Sequence, residues 1–173
     1  MQSSIVKHKQ YQQRLERKKK AEQRIKNHIE KYGKQKNITI TKRQAMFWWN
    51  QLNIAVFNGI LRKPHQMHVL KWVGDAKTYG ECSPEYDKRD KRCTILRFKN
   101  KYETRTLFLS ILIHEMVHQW EWETFENTSH HKFFYMWQDR IQHVTGLPLA
   151  MWVDDIIPQT TGMHIDAWYE NKR

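Results

Sequence analysis

The stretch from Thr104 to Trp122 constrains this chain more than any other. It runs without Gly or Pro, and Leu107, Phe108, Leu109, Ile111, Leu112, Ile113, Met116, Val117 and Trp120 leave it apolar nearly all round. That is the pattern of a helix buried in a protein interior, not one lying on its surface. Inside it stand His114, Glu115 and His118. Two imidazoles and a carboxyl are costly to bury without partners, so the fold must supply them with something to bind.

On a helix, His114 and His118 share a face. Two imidazoles so placed bind one zinc ion, and Glu115 can then take the proton of a water at the metal. H-E-x-x-H in this setting predicts a zinc-dependent peptidase. A catalytic zinc also needs a third protein ligand and an open position. Downstream, Ser129-His130-His131-Lys132-Phe133-Phe134 offers candidates. The interval from His118 lets the first helix end, the polar loop 126–129 turn, and a second helix return a His. The spacing of Phe134, Trp137 and Ile141 predicts that second helix over 132–144. By spacing alone His131 serves as well as His130, and Glu123 and Glu126 are the remaining donors. Imidazole suits zinc well, which favours the two His.

These runs, with Arg140-Ile141 through Thr145-Gly146, resemble the SprT-like zinc metallopeptidase family. Upstream, Trp49-Asn50-Gln51-Leu52-Asn53 and Phe57-Asn58-Gly59-Ile60-Leu61 are similar to that family's opening helix and its exit, so the resemblance spans about residues 44–147. It implies an α+β fold with a zincin-like metallopeptidase core. In the family the third zinc ligand opens an H-G-x-x-F motif, which maps onto His130 and Phe134. The implied site is therefore His114, His118 and His130 on zinc, with Glu115 catalytic. His131 stands where the family has Gly, which leaves a ligand swap between the two His open. The resemblance also implies substrates that are proteins bound or crosslinked to DNA, and an edge strand that aligns an extended peptide.

With 173 residues, 39% of them hydrophobic, the chain can bury one core of ordinary size. We read a basic helical arm over 1–36 and a metallopeptidase domain over 37–173. The arm carries twelve Lys or Arg against Glu16, Glu22 and Glu30, most of the chain's net charge of +12. Its composition predicts a mostly solvated helix from about Ser4 to Tyr32, with Tyr11/Leu15 and Ile25/Ile29 as the clear apolar pairs. Such charge suits the phosphate backbone of DNA, contacted without regard to sequence through Lys18, Lys19, Lys20 and Arg24. An acidic protein partner and a merely solubilising extension are the other readings of the same charge. Aromatic residues are too few in the arm for it to stack bases.

Thr41-Lys42-Arg43-Gln44 fits a capping box, and a helix should follow from Lys42 to about Phe57, stopped by Asn58-Gly59. Residues 68–73, 77–82 and 92–98 are β-rich, with a charged loop over 83–91. They predict a three-stranded antiparallel meander packed on the H-E-x-x-H helix. Cys82 and Cys93 can face each other across strands but are expected to be reduced thiols. His65 and His68 flank a strand start and are not read as ligands. The apolar tail from Leu147 to Val153 should fold back on the core, with Trp152 and Trp168 as anchors and Met163-His164 as packing.

No run of 18 apolar residues occurs and the start lacks a signal-peptide core, so the expectation is a cytoplasmic protein with no membrane partner. The function expected is a zinc metalloendopeptidase that cuts DNA-associated proteins. Two alternatives stand beside it: a peptidase specialised for a protein in an assembly, without DNA, and a non-catalytic, zinc-stabilised nucleic-acid-binding protein.

Overall fold

The computed structural model describes residues 2–71 and 78–149. The expectations for Trp152, Trp168 and Met163-His164 fall outside them. In chain order the elements are α1 (Gln2–Tyr32), β1 (Lys36–Thr39), α2 (Lys42–Ala55), β2 (Gln66–Leu70), β3 (Gly80–Tyr86), β4 (Arg92–Lys99), β5 (Lys101–Thr104), α3 (Arg105–Phe125), α4 (Lys132–Tyr135) and α5 (Gln138–Thr145). This is a mixed α+β fold with two small sheets. Among the described residues no helix is long and apolar enough to cross a membrane.

The predicted buried helix is α3, at the centre of the core. Thr104 caps it, accepting from the Leu107 N–H at 3.1 Å, and Glu126 ends it in the left-handed region at φ 59°. Phe108, Leu109, Leu112, Ile113, Met116 and Val117 are all fully buried. At α2 the capping box forms as read: Gln44 N–H donates to the Thr41 hydroxyl, and the Gln44 side chain accepts from Thr41 N–H at 2.9 Å. Asn58 and Gly59 both take positive φ just after this helix, which fits the predicted stop.

The sheet differs from the expected meander. β2, β4 and β3 lie in that order, with β2 parallel and β3 antiparallel to β4. β4 is central because Thr94, Leu96 and Phe98 alternate as a fully buried row. β3 runs past the predicted end at residue 82 through Pro84 to Tyr86, into what was read as loop. Lys99 N–H bonds to the Tyr79 carbonyl, so in the antiparallel register odd-numbered residues of β3 bond to β4. The backbone groups of Gly80, Cys82, Pro84 and Tyr86 therefore face the free edge. Pro84, lacking an N–H, costs the ladder nothing there. Cys82 opposes Leu96 and Cys93 opposes Glu85, so the cysteines do not face each other, and both are free thiols.

One further departure comes from packing. The helix predicted over 132–144 is broken into α4 and α5 at Met136-Trp137, where Trp137 is buried against Phe57 and Trp120, with ring centroids 4.4 and 5.2 Å away. β1 pairs antiparallel with β5. The arm is helical as expected and most of its described residues are exposed, while a few side chains of its C-terminal half pack on the domain. Ala21 and Ile25 are buried in the common core, and Gly33 docks on α3, its carbonyl accepting from the Thr106 N–H and hydroxyl. Tyr11, in the N-terminal half, stays exposed.

Candidate metal centre

α3 presents His114 and His118 on one face, and the turn entering α4 brings His130 to them. The Nε2 atoms of His114 and His118 are 3.1 Å apart, and those of His114 and His130 are 3.0 Å apart. One ligating nitrogen from each of the three rings lies within 4.8 Å of the others. Phe134, fully buried, lies against all three imidazoles, with centroids at 4.9, 4.7 and 4.7 Å. The turn entering α4 carries the third imidazole, and α4 carries the ring on which all three rest.

His131 does not join the cluster. It caps α4 with its carbonyl, which accepts from Phe134 N–H at 3.0 Å. Its φ of −96° is open to any L residue, so this position does not require the glycine of the family motif. Glu123 turns away to accept from Gln119 at 2.7 Å and from the Arg62 N–H at 3.1 Å. Glu126 receives the Tyr86 hydroxyl. His68 is half-buried and bonds Gln66.

The donor set fits a zinc ion. Glu121, 2% exposed, lies 3.2 Å from His118 Nδ1, and as a carboxylate it can only accept. The proton therefore sits on Nδ1, and the Nε2 lone pair of His118 points at the other two rings. Three facing ring nitrogens cannot all satisfy one another with hydrogen bonds, whereas one cation takes every lone pair. A tetrahedral zinc places its nitrogen donors about 3.3 Å apart, close to the spacings found. Burial, then the neighbouring His118 and His130, pushes His114 down to about 3, with the Leu149 backbone opposing. Burial, then His118 and His131, lowers His130 too. Both are neutral at pH 7, the form that ligates a metal.

Glu115, next to His114, is buried under β3. Burial pushes its carboxyl up to about 8, a hydrogen bond from the Cys82 backbone pulls it down, and Glu81 pushes it up again. Gly80 permits this approach: a Cβ there would come within 2.6 Å of Ile111 Cγ2 and 3.1 Å of Glu115 Cγ. β3 is thus the strand beside the cluster. Two contributors escaped the sequence reading, Glu121 and the Cys82 backbone. For Glu121 a signal existed, since a carboxyl three residues after His118 on a buried helix must share its face.

The four arm cations part company. Lys18 lies 3.9 Å from Glu22. It lines a cleft with Asp139. Lys20 and Arg24 turn toward α2, and Lys19 is exposed.

An α+β fold that converges three imidazoles, from a buried helix and the turn entering α4, defines a protein with a candidate three-histidine metal centre. The SprT-like family profile matches residues 45–152, and the chain belongs to that metallopeptidase-related family. The match holds most of α2, the three-stranded sheet and all three His, and begins after the arm. No curated protein matches the chain significantly.

Proposed function

We propose that this chain is a zinc-dependent metalloendopeptidase that cuts proteins associated with DNA. The observation that carries the reading is the pairing of a three-imidazole centre with Glu115, a buried carboxyl beside the first ligand whose affinity for a proton is raised to the neutral range. A purely structural zinc site needs no such base and usually fills its fourth position.

Zinc at His114, His118 and His130 would supply Lewis acidity, polarising a scissile carbonyl and lowering the pKa of water. Glu115 takes the proton of the attacking water and delivers it to the leaving amine, a cycle suited to a carboxyl near pKa 8 before a cation acts on it. The Cys82 N–H holds that carboxyl in place. The free edge of β3 then offers the backbone of Gly80 and the carbonyls of Cys82 and Pro84, with which an extended peptide can pair. The arm's cations would bring the enzyme to DNA by phosphate contacts.

The test is Glu115→Gln. It should leave one zinc per chain and lower casein cleavage by about 10²–10⁴-fold, the usual contribution of a general base. A variant that cuts as fast as wild type sinks the peptidase reading.

A further inference from the structure

Between α1 and α2 lies an open groove of about 620 Å³, lined by Lys20, Arg24, Lys31, Tyr32, Phe47 and Trp48 among others, with no carboxylate in its wall. Its floor is a run of rings. Tyr32 lies 5.2 Å from His28, His28 lies 4.2 Å from Trp48, and Trp48 lies 5.0 Å from Phe47, centroid to centroid. Trp48 is buried and joins the helices, but the two ends of the run are not spent on packing: Tyr32 is 41% and Phe47 44% exposed. Cations flank both ends. The Arg24 guanidinium sits over Phe47 at 5.8 Å, held from below by Gln51 Oε1, and the Lys31 ammonium sits 5.2 Å over Tyr32. The amides of Gln23 and Asn27 stand on the rim.

The arm alone has too few aromatics to stack bases. The fold repairs that lack by laying the rings of α2 beside the arm's cations. Flat rings open to solvent, spaced among Lys and Arg with no opposing acid, match an unpaired nucleic-acid strand, whose bases expose faces that a duplex hides. We propose that this groove binds single-stranded DNA, with bases stacked on Phe47 and Tyr32 and phosphates held by Lys20, Arg24 and Lys31. The inference rests on the DNA-directed part of the functional reading above and gives it a site.

The experiment is fluorescence anisotropy of the full chain with a labelled oligothymidylate and with a duplex of equal length, at one fixed salt concentration. Wild type should bind the single strand more tightly and quench its tryptophan emission. Phe47→Ala and Tyr32→Ala should each weaken single-strand binding at least about fivefold while leaving duplex binding unchanged. Phe47→Leu keeps apolar bulk without a flat ring, so it should fold as wild type and still lose the single-strand preference. Equal affinity for both forms, or variants that bind the oligothymidylate like wild type, would overturn the proposal. Casein cleavage without DNA and zinc content should be unchanged in all three variants. Failure here therefore leaves the peptidase reading standing, and failure of Glu115→Gln to stop cleavage leaves the groove untouched.

Discussion

The metal centre and the α1–α2 groove use His and aromatic rings to opposite ends. At the centre, Phe134 is fully buried and three imidazoles rest on it, His118 buried and held from behind by Glu121. In the groove the terminal rings stay open to solvent and cations hover over them. A buried polar cluster tolerates one arrangement, since an unmatched donor or acceptor there costs more than a hydrogen bond gains. An open groove tolerates many, because stacking asks only for a flat face. The contrast separates a packed cluster that holds one arrangement from an open surface that can accept many.

Phe134→Ala should break that contrast most severely. Removing a fully buried ring should cost about 3–5 kcal/mol in urea unfolding and weaken metal binding, while oligothymidylate binding by the folded fraction persists. Loss of only a few tenths of a kcal/mol would mean the ring does not support the cluster. Next comes Glu121→Ala. Its Oε2 also lies 3.3 Å from Ser129 N–H, so one buried carboxylate orients His118 and ties down the loop that delivers His130. Zinc affinity, measured by chelator competition, should fall roughly 10–100-fold. Unchanged affinity would make Glu121 a packing residue.

The smallest effect lies at the groove. Burial, then Arg105, lowers His28 to about 4, below its value of 6.5 in the unfolded chain. The unfolded state therefore takes up this proton first as pH falls, and stability present above about pH 6.5 is lost towards pH 4. His28→Gln cannot titrate, so its melting temperature should fall less than that of wild type over that window. Parallel curves would contradict the assignment.

What the sequence disclosed follows physical lines. His114, Glu115 and His118 were legible because polar groups in an apolar helix demand a reason, and Thr41 with Gln44 because a capping box is a local device. His130 needed the family motif, since spacing treats His131 equally; the turn into α4 decides between them. Strand order stayed hidden because β-rich stretches announce existence, not neighbours, and Pro84 reads as part of a loop until the ladder places it on a free edge. The break at Trp137 carries no Gly or Pro. It arises from contacts with Phe57 and Trp120, distant in sequence, as does the meeting of Phe47 with the arm.

The most direct test is metal content by elemental analysis of purified wild type, His130→Ala and His131→Ala, each also assayed for casein cleavage. The centre described here predicts one zinc per chain in wild type and in His131→Ala, its loss in His130→Ala, and cleavage that follows the zinc. Zinc lost with His131 and kept without His130, or no zinc in wild type, would contradict it.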